Sequence, residues 1–157
     1  MKALDRSLLD LTGYRMRRST SSALSCMNNV FAEFGLRRTT FSTLALVVDN
    51  PGLRQSQIAE ALAIDRPNFV QIVDELEQAN LIERKAAVGD RRAYALQPTP
   101  EGCALFETAF VAVREIDQQM TQGLSPQQID ALHAALIIID TNAKRSEATD
   151  ERQISRA

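Results

Sequence analysis

Three side chains suited to reading base edges fall close together in the middle of the chain: Arg66, Asn68 and Gln71. A carboxamide can bond bidentately to adenine, and a guanidinium can reach guanine or a phosphate. Further on, Arg84, Lys85, Arg91 and Arg92 flank a Gly89-Asp90 turn signal, where cations can meet a nucleic-acid backbone or a narrow minor groove. A second set suits a different chemistry. Arg15, Arg17 and Arg18 crowd the N-terminal region, while Phe41, Leu44, Phe106 and Phe110 offer apolar side chains. Arginines at the rim of an apolar pocket would hold a carboxylate, or the phosphates of an acyl-thioester, beside an aromatic group. The alternative for these arginines is a solvated helix face, with their stems lying over apolar surface.

Residues for other chemistries are isolated. His133 is the only histidine and has no second histidine or nearby cysteine to complete a ligand set, so no metal site and no Ser-His-Asp or Cys-His arrangement is expected. No glycine-rich phosphate loop is present, so neither catalytic residues nor a cofactor is expected. Cys26 and Cys103 lie far apart without CxxC spacing, which suggests neither zinc nor a disulfide framework and fits a reducing compartment. Cys26 could sense oxidants only as an accessible thiol of lowered pKa; a buried, inert thiol is the other reading. No apolar stretch approaches the roughly 18 residues of a membrane span, and the N-terminus lacks the pattern of a secretion signal. A cytoplasmic protein with no membrane partner is expected.

A formal charge of −2 on 157 residues argues against indiscriminate coating of nucleic acid. The charge is uneven, with seven Lys/Arg against three acids in Met1–Thr40 but six against seven in Leu53–Arg92. Local fields must therefore do the work.

The elements that position these side chains can be traced from periodicity and capping. Leu4 to Phe34 contains no proline and places apolar residues at helical spacings, which predicts one long helix closed at Gly35. Thr39 or Thr40 can cap a helix carrying Phe41, Leu44 and Val47 up to the Asn50-Pro51-Gly52 turn. A short helix with Ile58, Ala59 and Leu62 inward is followed by Asp65, placed to cap another, in which Pro67 is tolerated within the first turn. Phe69, Ile72, Val73 and Leu76 form the buried face of that helix. Leu81–Val88 and Arg92–Gln97 read as two strands of a hairpin. Thr99-Pro100 opens a long helix ending near Gly123, and Ser125, Pro126 and Gln128 open the last, which turns polar and frays after Ala143.

A helix pair with a tight turn followed directly by a hairpin suits DNA, the second helix entering the major groove while the hairpin reaches the flanking backbone. The residues that carry a more specific likeness run from Gly13-Tyr14 to Gly102. They include Arg17-Arg18, Phe34-Gly35-Leu36, Asn50-Pro51-Gly52-Leu53, Gln57-Ile58-Ala59, Ile64-Asp65-Arg66, Leu81-Ile82 with Arg84, Asp90-Arg91-Arg92 and Thr99-Pro100-Glu101-Gly102. In these the chain resembles the MarR family of transcriptional regulators. The resemblance implies a mainly α fold: a winged helix-turn-helix over 37–99 with a two-strand wing, dimerisation helices over 1–36 and 100–145, and a disordered tail over 146–157.

It further implies a homodimer gripping a pseudo-palindromic double-stranded DNA operator, with repression relieved by a small molecule. Arg92 would be the wing arginine in the minor groove, Asp90 its orienting partner, and Arg66, Asn68 and Gln71 the exposed recognition-helix positions. Ala63 stands where the family often has glycine in the helix-helix turn, and Gln71 and Glu75 where basic residues are common. The pattern is also similar to members that sense aromatic acids or their coenzyme A thioesters. Two alternatives remain: a dimeric interaction protein of the same fold with weak operator binding, and a redox sensor acting through Cys26.

Overall fold

The computed structural model describes the backbone of residues 4–87 and 90–154, and the side chains of residues 4–86 and 94–145. Among these residues the helices are α1 (Thr12–Glu33), α2 (Arg38–Asp49), α3 (Gln55–Ala61), α4 (Arg66–Gln78), α5 (Pro100–Met120) and α6 (Pro126–Ile154). Strands β1 (Ile82–Ala87) and β2 (Asp90–Pro98) form an antiparallel hairpin between α4 and α5. The mainly α winged helix-turn-helix expected from the sequence is the observed architecture.

The N-terminal helix starts later than periodicity predicts. Residues 4–7 form turns, Leu8–Asp10 a single 3-10 turn, and Leu11 is extended at φ −91° and ψ 119° before α1 begins. The break lets the chain fold back, so that Asp5 bonds to Tyr14 and Arg18 on the first turns of α1. At the other end, α6 continues through Ile154, past the point near Ala143 where polarity suggests fraying. Helix does not require an apolar stripe: this stretch is rich in Ala, Lys, Arg and Glu, and Lys144 pairs with Asp140 one turn back at 2.7 Å.

The chain divides into two compact units, Met1–Asp117 and Gln118–Ala157. In the first, Leu44 and Val47 of α2, Ile58 of α3, Val73 of α4 and Leu96 of β2 are wholly buried, and Phe69 and Leu76 nearly so. Each lies on the face that helical or strand periodicity assigns to the core. In the second, α6 opens with the expected capping box, Ser125 N–H donating to Gln128 Oε1 (2.8 Å) and Gln128 N–H to Ser125 Oγ (3.3 Å).

The start of α2 is arranged differently from expectation. Its N-cap is Arg37, and Thr40 sits at the third position, its hydroxyl accepting from Arg37 N–H (2.7 Å) and donating to Arg37 carbonyl (2.9 Å). The segment before α3 also joins the hairpin: Leu96 N–H donates to Leu53 carbonyl (2.9 Å), Gly52 N–H to Leu96 carbonyl (2.8 Å), and Arg54 bridges Ala95. The base of the wing is thereby tied to the entrance of the helix pair.

Between α3 and α4 the chain turns through Ala63, whose φ of 51° is left-handed. Ile64 N–H donates back to Ala59 carbonyl (2.9 Å), fixing that conformation although an L-residue is disfavoured in it. Asp65 then caps α4 as expected, its carboxylate accepting the Asn68 backbone N–H (3.1 Å).

Two consequences can be measured. Ala63→Gly should raise stability by about 0.5–1 kcal/mol, the left-handed penalty of alanine less the larger chain entropy of glycine; an unchanged or lower urea midpoint would contradict the strained turn. Asp65 is held below the usual carboxylate pKa, first by the Asn68 backbone N–H and then by its side-chain amide. Its contribution is therefore complete above the unfolded pKa and is lost as pH falls through the depressed folded value. Thermal midpoints below about pH 3.8 should fall less in Asp65→Asn, which keeps a capping oxygen without a titrating group, than in the native chain.

Candidate nucleic-acid interface and anion cradle

Burial of Phe69, Ile72, Val73 and Leu76 turns the opposite face of α4 outward. Arg66, Asn68 and Gln71 are all exposed, as expected, but they are not equivalent. Asn68 donates its side-chain amide to Asp65 Oδ2 at 2.6 Å, so the group expected to seek adenine is pinned against its own helix cap. Arg66 and Gln71 carry no such tie among the described residues. Val70, which periodicity leaves unassigned, is 44% exposed. An open cleft of about 300 Å³ lies between α3 and α4, lined by Gln55, Ser56, Ala59, Arg66, Phe69 and Val70.

The cations beyond α4 also separate into two kinds. Arg84 on β1 forms ion pairs with Asp74 and Glu77 of α4 through its two terminal nitrogens, and its side chain is only 19% exposed. Sequence alone groups it with backbone contacts; the structure has it clamping strand to helix. Lys85 remains exposed, paired with neighbouring Glu83 at 2.6 Å. The backbone of Asp90, Arg91 and Arg92 opens β2, while their side chains lie outside the described residues. Glu75, a charge that would repel phosphate, is paired with Arg37 at the start of α2.

At the N-terminal end of α1 the arginines are organised around Tyr14. The Arg17 and Arg18 guanidinium carbons stand 5.1 and 6.0 Å from the ring centroid. Asp5 accepts hydrogen bonds from Tyr14 Oη (2.8 Å) and Arg18 Nη1 (2.6 Å), and Arg15 Nε donates to the Leu9 carbonyl. The Tyr14 hydroxyl above all, then the Asp5 backbone N–H and the nearby Arg18 charge, outweigh desolvation and hold the Asp5 carboxyl below its ordinary range. An anion is therefore already seated here, and it belongs to the chain itself.

The aromatic residues form a file in the same unit: Phe31–Phe41 at 4.9 Å between centroids, Phe41–Phe106 at 5.8 Å and Phe106–Phe110 at 5.3 Å. Phe41, Leu44 and Phe106 are buried in the core, and Phe110 emerges at 43% exposure. Arg15 and Arg18 do not stand beside the Phe31 end of this file. Arg18 and Phe31 are separated by about 20 Å along α1 at 1.5 Å per residue. Cys26 on α1 is exposed, contrary to the buried alternative, and Cys103 is partly buried; both thiols are free. No described helix is long and apolar enough to cross a membrane.

A MarR family model matches residues 34–93, which span α2, the helix pair and the start of β2. A "putative transcriptional regulatory protein for hcr operon" of Thauera aromatica is 32% identical over 114 residues, 72% of this chain and 69% of that protein. Among solved structures, the transcriptional repressor CouR bound to a 23-mer DNA duplex is 32% identical with a TM-score of 0.83, the match covering 89% of this chain and 99% of that one. CouR bound to p-coumaroyl-CoA is 31% identical with a TM-score of 0.75, over 89% and 97% of the two chains. Helix order, hairpin and sequence agree over most of both lengths, and the chain belongs to the MarR family of winged helix-turn-helix transcriptional regulators.

Proposed function

We propose that the protein is a homodimeric repressor that grips a pseudo-palindromic duplex with α4 and the wing and releases it on binding an anionic aromatic compound, most fittingly an aromatic acyl-thioester. The observation that carries this reading is the likeness, at 31–32% identity, to two structures of the repressor CouR, one bound to a DNA duplex and one to p-coumaroyl-CoA. Homodimer formation is supported by apolar side chains left uncovered on α6, among them Ile137 at 67% and Ile138 at 60% exposure.

The geometry favours the thioester over a free acid. A compact aromatic carboxylate held at Tyr14, Arg15, Arg17 and Arg18 cannot also reach the aromatic file where Phe31 joins it, because the arginines and Phe31 lie at different ends of α1. A coenzyme A thioester carries phosphates and an aromatic acyl group on a long flexible arm. Its phosphates would replace the Asp5 carboxylate on Arg18.

Release requires differential affinity, and even a tenfold loss of operator binding needs a coupling of about 1.4 kcal/mol, felt equally by the ligand when DNA is present. Titration calorimetry with p-coumaroyl-CoA and with p-coumarate, with and without operator, should show the thioester binding more tightly and DNA weakening it. Arg15→Ala with Arg18→Ala should lower thioester affinity more than operator affinity. If neither compound binds, or DNA leaves the affinity unchanged, the effector assignment fails.

Division of labour among the wing cations gives a separate test. Arg92→Ala should weaken binding to every duplex and reduce the salt slope by about one. Arg84→Ala should instead lower the thermal midpoint, because it strips the partner from Asp74 and Glu77. Equal melting of the two variants, or unchanged operator affinity in Arg92→Ala, would refute the assignment.

A further inference from the structure

Val70 is an apolar side chain held open to solvent on the outward face of α4. It follows Arg66 by four residues and Pro67 by three, which places all three as neighbours on one helix surface. Arg66 and Pro67 are themselves exposed, and Gln71 adjoins them. Val70 also lines the cleft against Gln55 and Ser56 of α3, with the guanidinium-bearing Arg66 at its edge. The result is a small apolar spot rimmed by donors and acceptors. A protein partner would call for a wider apolar patch than one valine and one proline among polar neighbours.

Resting on the DNA-binding reading above, we propose that Val70 is a specificity-determining residue that reads the C5-methyl group of a thymine in each operator half-site. Thymine is the only base that presents a methyl group in the major groove, and recognition there is by apolar contact. The cleft is continuous with the reading surface of α4, which makes the edge of a base the occupant rather than a detached small molecule. One amide N–H of Asn68 is engaged by Asp65, whereas Arg66, Val70 and Gln71 stand beside it with no such tie among the described residues. Arg66 addresses the neighbouring guanine or phosphate while Val70 excludes water from the methyl group.

The test uses the full chain and duplexes enriched by it from a random-sequence pool. Each thymine of the enriched duplex is replaced singly by deoxyuridine, which removes only the methyl group, and affinity is read by fluorescence anisotropy. One position in each half-site should lose about fourfold in affinity, the worth of burying one methyl-sized group. Val70→Ala should bind the thymine duplex more weakly by a similar factor and lose the thymine-deoxyuridine difference at that position alone. Alanine is the stronger helix former, so an unchanged or higher melting temperature is expected and separates misfolding from lost reading. If no position discriminates, or Val70→Ala discriminates as the native chain does, the assignment to Val70 is overturned while duplex binding stands. If the chain enriches no duplex at all, the DNA-binding reading falls and this inference with it.

Discussion

The reading unit depends on a close approach of two backbones at the foot of the wing. Gly102, in the first turn of α5, lies against the Leu81 carbonyl so tightly that a Cβ built on it would overlap that group. Thr99 completes the joint: its N–H donates to Leu81 carbonyl (3.1 Å), its hydroxyl donates to Asn80 carbonyl (2.6 Å) and accepts from Gly102 N–H (2.9 Å). Asn80, left-handed at φ 57°, ends the turn after α4, and Leu81 N–H returns to Leu76 carbonyl (2.9 Å). The end of α4, both strands at the Ile82–Pro98 pair, and the start of α5 therefore leave one hydrogen-bonded knot. Glycine is required there for room, and asparagine suits its turn because it tolerates the left-handed region.

Charge is handled inside the unit before it is offered outside. A tally of Leu53–Arg92 shows more acids than bases, which by itself argues against binding a polyanion. Arg84, already counted among the bases, forms ion pairs with both Asp74 and Glu77, and Arg37, from outside the tally, pairs with Glu75 and brings the balance to seven against seven. Partly buried arginine clamps of this kind are weak evidence for stability, yet they engage the acids of α4 within the unit. The acids of α4 are engaged with its neighbours, and Arg66 at its first turn is left exposed.

Much of this was legible in the sequence because it is local. Asp65 with Pro67, Thr99 with Pro100, and Ser125 with Gln128 each announce a helix start through residues within one turn, and all three starts are present. The buried face of α4 followed from spacing alone. What could not be read depends on partners far along the chain: Arg37 finds Glu75 from 38 residues away, and Arg84 finds Asp74 from ten. The break at Leu11 was hidden for the same reason, since the folded-back segment is held by the Asp5 bonds to Tyr14 and Arg18 and by Arg15 on the Leu9 carbonyl. In the candidate site, exposure of Arg66 and Gln71 was predictable, while the bond that ties the Asn68 amide to Asp65 and the exposure of Val70 were not.

These features constrain how a signal can act. Within the unit, α4 and the wing share the Leu81–Gly102 knot and the Arg84 clamp, and α2 is packed against α4 by wholly buried Leu44, Val47 and Val73. Among the described residues α4 and the foot of the hairpin share these contacts, and close-packed interiors transmit displacement instead of absorbing it. A ligand that seats its anion in place of Asp5 changes contacts at the outer end of α1, remote in sequence from that knot. Under the proposed function, differential affinity for DNA would then arise by shifting whole reading units relative to each other, not by bending α4 away from the wing. Two units bound to one duplex must match the roughly 34–36 Å repeat of successive half-sites, so a rigid-body change that leaves each unit intact is sufficient to break their common fit.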